Sequence, residues 1–317
     1  MNITIKPQLA EDAVLSEVQF PCIVQPKIDG VRAMNLNGTL TGRSLDPFKG
    51  YGITEYFSIP TFVGLDGEMT LGPLPNSPDR LCSLTTGAMG KFKGVTEMPN
   101  LHWWLFDYLT EETLKLPYEE RYQMLRARLN VIRHPKLHVV PFTFCTGTFE
   151  LNDAIARNAE QGFEGTIIRN PRSFYKAGRS TKEGQLWRVK PWADFEIMVT
   201  GITEGQMNGN EAKTNSLGRT ERSSAKVGMV PNGQVGSIQG TLLKDFHDPI
   251  SGKLLFAKGL PVTAGSGEMS VAEAAAYFAN PHRLIGHVAK IKTMTHGTKD
   301  LPRFPTFVSL RMKEDLE

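Results

Sequence analysis

The chain has 317 residues, 40% of them hydrophobic and 22% charged, with a formal net charge of +3. That length admits two domains with separate cores, and no apolar run approaches the ~20 residues that span a bilayer. The start carries Glu11, Asp12 and Glu17, unlike a secretory signal, and Cys22, Cys82 and Cys145 are too few and too dispersed for a disulfide framework or a zinc knuckle, so a cytoplasmic protein with reduced thiols is expected.

Phe20 to Gln25 is apolar and β-prone and delivers Lys27 at its end. Lys27-Ile28-Asp29-Gly30-Val31-Arg32 then sets a lysine, an acidic turn and an arginine at the mouth of a strand–turn–strand unit. At average residue usage such a K-x-D-G-x-R string arises by chance in about one chain of this length in a few hundred. Val31 to Leu36 continues as a strand, Asn37-Gly38 reads as a two-residue hairpin turn, and Leu40 to Ser44 returns carrying Arg43. Phe62 to Met69 is a strand with Asp66 and Glu68 on one face, because side chains alternate with period two. Leu101 to Leu109 is a strand with Phe106 and Asp107. Pro117 to Asn130 reads as a helix with Tyr122, Leu125 and Leu129 in a stripe, and Leu151 to Gln161 as a second helix ended by Gly162. Glu164 to Arg169 and Leu186 to Lys190 are strands, and Arg188 and Lys190 point the same way. Between Arg172 and Lys190, six cations are opposed only by Glu183, a distribution that suits a polyanion.

The character changes after Pro191-Trp192, where a domain boundary is placed, giving domains 1–192 and 193–317. Phe195 to Thr203 is a strand, followed by a long polar stretch from Gly205 to Gly233 with Lys213, Arg219, Arg222 and Lys226. Strands are expected at Gly236 to Phe246, Lys253 to Leu260, Leu284 to Thr293 and Thr306 to Arg311, and a capping box at Ser270-Val271-Ala272-Glu273 opens a helix that Pro281 ends. Such strands with one short helix fit a small closed barrel of the oligonucleotide-binding type, the OB-fold.

A lysine amine attacks only when neutral, and its unperturbed pKa is ~10.4, so Lys27 needs a site that favours the free base. Arg32, Arg188 and Lys190 offer cations for that and for a triphosphate. Phosphoryl transfer asks mainly for in-line positioning and charge neutralisation, with carboxylates as hard ligands for Mg²⁺ or Mn²⁺. Glu164 is the first candidate ligand; Glu68 serves either the metal or a ribose hydroxyl. Phe106 offers a flat face for a purine. No G-x-x-x-x-G-K-[ST] loop is present, so side chains must hold any phosphates. His134 and His138 are four apart, but Pro135 argues against a helical metal pair and for a structural role.

Taken in order, these strings resemble the covalent nucleotidyltransferases, and among them the minimal ATP-dependent DNA ligases of phages and viruses. Lys27 to Arg32 is similar to the motif whose lysine becomes AMP-linked, and Thr41-Gly42-Arg43-Ser44 to the motif whose arginine holds a nick 5′-phosphate. Leu65-Asp66-Gly67-Glu68 resembles the ribose motif, Leu105-Phe106-Asp107-Tyr108 the adenine-stacking motif and Glu164 to Arg169 the metal-linked glutamate motif. Leu186 to Lys190 and Arg303 to Phe307 with Arg311 resemble the last two. The resemblance implies an α+β fold: a nucleotidyltransferase domain with antiparallel sheets, then an OB-fold barrel carrying a mobile basic insertion at about 205–233. It implies Lys27, Asp29, Arg32 and Lys190 as catalytic residues; Gln25, Lys27, Arg32, Glu68, Phe106, Arg188, Lys190 and Arg303 around ATP; and Glu68 and Glu164 at the metal. Arg43, Lys213, Arg219, Arg222 and Lys226 would meet DNA.

The implied activity is sealing of 3′-hydroxyl/5′-phosphate nicks in duplex DNA through lysyl-AMP and DNA-adenylate, by a monomer serving replication, repair or recombination in the cytoplasm, a host's if the chain is phage-encoded. Two departures stand out. Arg188 occupies a position that is usually lysine, which leaves Lys190 as the general acid or phosphate contact. After Arg311 come Met312, Lys313, Glu314 and Asp315 in place of the usual acid–base ending, and Arg303 is assigned to pyrophosphate. With 26 residues before Lys27, the polar stretch 205–233 is assigned the task of clamping the duplex. An mRNA-capping guanylyltransferase and an RNA ligase are the rival activities, and a catalytically dead nucleic-acid-binding protein is the rival without one; too few cysteines for a four-cysteine zinc site disfavour an NAD⁺-dependent ligase.

Overall fold

A computed structural model describes residues 5–74, 81–92, 94, 97–179, 186–214, 217–249, 252–296, 298 and 300–311. The chain forms two compact units, Met1–Lys190 and Pro191–Glu317.

The first unit is built on two five-stranded sheets. One runs in the order Glu11–Asp12, Leu186–Val189, Gly165–Arg169, Cys22–Lys27 and Thr143–Cys145. The other runs Leu40–Thr41, Val31–Asn35, Leu65–Leu71, Leu101–Tyr108 and Leu137–Val139. Both are antiparallel except at one edge each, where Glu11–Asp12 and Leu137–Val139 pair in parallel with their neighbours. Cys22–Lys27 and Val31–Asn35 belong to different sheets, so the turn Ile28–Gly30 carries the chain from one sheet to the other. That crossing sets Lys27 at the end of one sheet and Arg32 at the start of the next.

The helix Tyr118–Ile132 shows how the packing follows from the sequence. Pro117 sits at its N-cap in extended conformation, Glu119 and Glu120 occupy the first turn where the helix dipole favours acids, and Arg133 ends it at φ 49°. Its buried face is Tyr118, Arg121, Tyr122 and Leu125, at i, i+3, i+4 and i+7. It lies on a core of Phe57, Phe62, Met69, Trp103 and Leu105. The helix Thr148–Glu160 packs Leu151 and Ala154 onto Cys22, Val24 and Ile168 of the first sheet.

The structure corrects several expectations in this unit. The Asn37-Gly38 hairpin is wider than a two-residue turn, because Asn35 pairs with Leu40 and the Asn35 side chain accepts a hydrogen bond from Gly38 N at 2.9 Å. The return strand is only Leu40–Thr41, so Arg43 lies in the turn beyond it, where Leu45 N donates to Gly42 O. The strand with Asp66 and Glu68 begins at Leu65, after a 3₁₀ turn at Pro60–Phe62. Helices Tyr51–Phe57 and Leu81–Lys91 went unread: the first is two turns long, and the second carries Ser83, Thr85, Thr86, Gly87 and Gly90, all weak helix formers.

In the second unit the strands Trp192–Asn208, Met229–Leu242, Pro261–Gly265, Arg303–Leu310 and Val288–Met294 pair in that order into a closed ring. Ile197, Ile238, Ala264, Leu284, Ala289 and Ile291 fill its interior. The helix Val271–Ala279 opens on the expected capping box, with Ser270 Oγ accepting from Glu273 N and the Glu273 carboxylate accepting from Ser270 N. The expected strand Lys253 to Leu260 contracts to Leu254–Phe256, and the ring strand Pro261–Gly265 follows it. Leu284 lies outside the strand that begins at Val288.

The largest correction is the polar stretch. Trp192–Asn208 and Met229–Leu242 stay paired out to Asn208 opposite Met229, so residues 204–208 and 229–235 continue the two strands as a ribbon. Ala212–Thr214 and Thr220–Arg222 form a smaller hairpin in the connection between its strands, and Lys226–Gly228 a 3₁₀ turn. Both faces of the small hairpin meet solvent, so no apolar alternation marks it as strand.

Candidate active site

Lys27 closes its strand opposite Gly165, and Glu164 N donates to Lys27 O at 3.0 Å. This pairing puts the Glu164 side chain against the lysine. Glu164 Oε2 takes the Lys27 ammonium, and Glu164 Oε1 takes Lys190 Nζ at 3.0 Å. One buried carboxylate therefore bridges two lysines that are themselves only about one-fifth exposed. Burial pushes the Glu164 carboxyl up, but the two ammoniums outweigh it and hold the group below the usual glutamate range. Two glycines permit the close approach. A Cβ on Gly165 would lie 2.1 Å from Val189 O, and one on Gly30 would lie 2.3 Å from Met69 O.

The facing sheet supplies a second set. Arg32 sits opposite Glu68, and its guanidinium grips Asp66 through Nε–Oδ1 and a second N–H to Oδ2, both at 2.6 Å. Asp66 is fully buried. Burial alone would lower the Arg32 guanidinium, but Asp66 outweighs it and keeps Arg32 charged. Glu68 is half-buried, and desolvation pushes its carboxyl up to about 7 against the pull of Lys27 and Arg32. Phe106, also half-buried, has Arg32 Cζ 4.5 Å and Arg169 Cζ 5.5 Å from its ring centroid.

Behind Phe106 lies an arrangement that no sequence reading supplied. Arg169 Cζ is 4.3 Å from the Tyr118 ring centroid, and Arg121 Cζ is 5.4 Å from Tyr118 and 5.6 Å from Tyr175. Guanidinium and aromatic groups thus alternate from Arg32 through Phe106, Arg169, Tyr118 and Arg121 to Tyr175. Contacts of this kind contribute from about 0.5 kcal/mol where exposed to about 2 kcal/mol where desolvated. Arg121 is held by Asp107 at 2.8 and 3.0 Å, both groups being almost wholly buried. Gln25, 1% exposed, receives Arg169 Nε at 3.1 Å on Oε1. The Tyr118 hydroxyl lies 3.0 Å from that oxygen and 2.9 Å from Phe106 O, with one proton for the two acceptors. The available signals were charged residues on apolar faces: Arg121 on the buried stripe of its helix, and Arg169 ending a buried strand.

The other expected site residues distribute as follows. Asp29 is buried in the inter-sheet turn. Arg188 is bound to Asp12 at 2.7 and 3.3 Å and also feels the Glu164 charge, so the basic stretch is opposed by Asp12 and Glu164 and not by Glu183 alone. Lys182 and Glu183 lie outside the described residues, as do Met312, Lys313, Glu314 and Asp315. Arg43 is exposed in its turn. Arg303 belongs to the second unit, where a terminal guanidinium N–H donates to His296 O at 3.3 Å. Lys213, Arg219, Arg222 and Lys226 all lie exposed on the ribbon. His138 Nε2 meets His102 Nδ1 at 2.7 Å, and the His138 ring stacks on Trp104 instead of pairing with His134. Among the described residues no group of three or more His, Cys, Asp or Glu side chains is arranged to hold a metal by itself, and no helix is long and apolar enough to cross a membrane. Chemically, the first unit offers a lysine beside a shared carboxylate, a second lysine, and an aromatic face lined by arginine.

Comparison with known proteins bears on this arrangement. Residues 7–190 match the family model of the ATP-dependent DNA ligase domain. The DNA ligase of African swine fever virus (strain Badajoz 1971 Vero-adapted) is 26% identical over 200 residues, which is 58% of this chain and 45% of that protein. The chain thus spans about half the length of the curated relatives it matches. Among solved structures, Chlorella virus DNA ligase-adenylate is 25% identical, with a TM-score of 0.51 over 98% of this chain and 99% of the other. A Lig E DNA ligase structure has a TM-score of 0.66 at 20% identity, over 98% and 100% of the two chains, a likeness of fold. The fold is accordingly a mixed α/β one with a nucleotidyltransferase-like part and an OB-like part.

Proposed function

Since this chain belongs to the ATP-dependent DNA ligase family, we propose that it seals nicks in duplex DNA through a covalent adenylate on Lys27. The observation that carries this reading is the Lys27–Glu164–Lys190 cluster, reached by the K-x-D-G-x-R turn between two sheets. In the first step Lys27 Nζ, as the free amine, attacks the α-phosphorus of ATP. An N–P bond forms, the bond to the β-phosphate oxygen breaks, and pyrophosphate leaves. Glu164 Oε2 is the atom that shares the Lys27 proton, and Lys190, across the same carboxylate, serves as the general acid or phosphate contact. AMP then passes to the 5′-phosphate of the nick, and the 3′-hydroxyl displaces it as the strand closes.

Phe106 stacks on the base, Gln25 lies beside it, and Glu68 accepts from the ribose or joins Glu164 at a metal. Mg²⁺ characteristically takes one or two carboxylates and completes its shell with substrate phosphates and water, so Glu164 and Glu68 fit it without a three-ligand protein site. When bound, it would neutralise charge on the phosphates. Asp29 and Arg32 complete the catalytic set, Arg188 contributes charge to the nucleotide, and Arg303 is assigned to the pyrophosphate.

In this reading the nucleotidyltransferase domain is 1–192 and the OB-fold 193–317, supported by a division of the chain into compact units two residues earlier, at Lys190/Pro191, and the ribbon with Lys213, Arg219, Arg222 and Lys226 is the arm that meets DNA, together with Arg43. We propose further that it works as a monomer in the cytoplasm. The capping and RNA-ligase alternatives gain no support from the matched relatives, which are named DNA ligases.

The test uses α-labelled ATP or GTP with Mg²⁺, with and without nicked duplex. Label from ATP should be trapped on the protein, vanish in Lys27→Ala and be chased by nicked DNA into sealed product. Labelling from GTP alone would reject the reading in favour of capping chemistry.

A further inference from the structure

We propose that Arg169 is a positioning residue for base recognition, acting through Gln25 and Phe106. The proposal rests on the reading above, in which Phe106 receives the purine of ATP. Gln25 stands two residues before Lys27 on the same strand, so the pleat turns both side chains to one face. Arg169 donates from Nε to Gln25 Oε1 at 3.1 Å, which marks that end of the amide as the oxygen, since a guanidinium offers only donors. The nitrogen end is thereby fixed as well, and it donates to Val140 O at 3.4 Å. The same guanidinium sits between the Phe106 and Tyr118 rings, at 5.5 and 4.3 Å. One group therefore orients both the amide and the aromatic ring beside the base.

Charge pairing does not account for Arg169. Arg32 and Arg121 each hold a carboxylate with two hydrogen bonds, whereas Arg169 makes no ion pair with a carboxylate among the described residues. Removing it leaves no carboxylate stripped of its partner, so the fold has less reason to fail than in an Arg121 variant. It does remove a donor from Gln25 Oε1. The amide can then turn over, exchanging donor for acceptor beside the purine. Adenine and guanine present opposite hydrogen-bonding groups at C6, so an amide free to turn loses its preference between them.

The experiment compares wild type, Arg169→Met and Arg169→Lys in three measurements: lysyl-nucleotide formation from ATP, the same from GTP, and sealing of a pre-adenylylated nick, which needs no ATP. For Arg169→Met the expected result is an ATP KM raised about tenfold with adenylylation kcat within about threefold, and an ATP-over-GTP preference reduced about tenfold. At saturating DNA, where a binding loss for the adenine of the nick is masked, sealing of the pre-adenylylated nick should stay within about twofold. Arg169→Lys should resemble Arg169→Met, because an ammonium supplies charge without the planar fork. An unchanged nucleotide preference, equal losses in ATP loading and pre-adenylylated sealing, or full rescue by lysine would each overturn the proposal. If Arg169→Met melts below the assay temperature, Arg169→Lys alone carries the preference test. Failure of the wild type to form lysyl-AMP would instead sink the reading on which the proposal rests.

Discussion

The lysine site and the ribbon are both rich in charge, and they use it in opposite ways. Around Lys27 nearly every charged group meets another inside the fold: Glu164 holds two lysines, Asp66 holds Arg32, and Asp107 holds Arg121. On the ribbon, Lys213, Arg219, Arg222 and Lys226 stand in solvent among Asn, Ser and Gly. Internal charges are expensive to disturb one at a time, because each loss leaves a desolvated partner behind. Exposed charges contribute little to stability and lie within reach of a polyanion. Chemistry and rigidity are therefore expected from the first region, and salt-dependent grip from the second.

The sharpest break between the regions comes from Lys27→Ala. Lysyl-AMP formation should fall by about 10³-fold or more, below detection in a labelling gel, since no other group replaces a covalent nucleophile. Next comes Asp107→Asn, which strands Arg121 in the core. Denaturant unfolding should show a loss of about 3–5 kcal/mol, far beyond any single substitution on the ribbon.

A smaller effect follows from Glu68. Its carboxyl ionises at about 7 in the fold against 4.5 as an ordinary glutamate, so the native state holds the proton more tightly than the unfolded chain. Native stability from this group should decline as pH rises from about 4.5 to about 7 and then level off, by up to about 3 kcal/mol. Glu68→Gln should flatten that part of the curve in urea unfolding followed across pH. Glu164 acts in the other direction. Its lowered value adds stability that is lost only as acid protonates it, below the usual glutamate range.

The mildest effect on the fold belongs to the ribbon. Replacing Lys213, Arg219, Arg222 and Lys226 together by alanine should move stability by no more than about 0.5 kcal/mol per site. Lysyl-AMP formation should be unchanged, while nick affinity falls and the slope of log K against log salt shrinks by up to about 0.9 for each phosphate no longer neutralised. Equal damage to adenylylation and to nick binding would erase the proposed division between the regions.

The same contrast explains what could be read from the chain. The strands around Lys27, Glu68, Phe106, Glu164 and Lys190 were legible because short apolar runs bounded by glycine and turn residues mark them, with Lys27, Glu164 and Lys190 at strand ends and Glu68 and Phe106 within the strands Leu65–Leu71 and Leu101–Tyr108. Their residue types also imply chemistry by themselves. The alternating arginine–aromatic column was not legible, because residues 32, 106, 118, 121, 169 and 175 meet only through tertiary pairing. The ribbon was missed for the opposite reason: its small hairpin buries neither face, so strand periodicity has nothing to mark. Asn37-Gly38 misled because Asn35, just upstream, captures the Gly38 amide and widens the turn.

The shared carboxylate has a consequence for how the protein differs before and after loading. An amine that has become a phosphoramidate no longer carries a positive charge, so Glu164 would lose one of its two counter-ions at the moment AMP is attached. Of the two lysines, only Lys190 would then remain paired with that carboxylate. Empty and charged enzyme would thus carry different electrical imprints at this carboxylate, a built-in tally of whether the first half-reaction has already taken place.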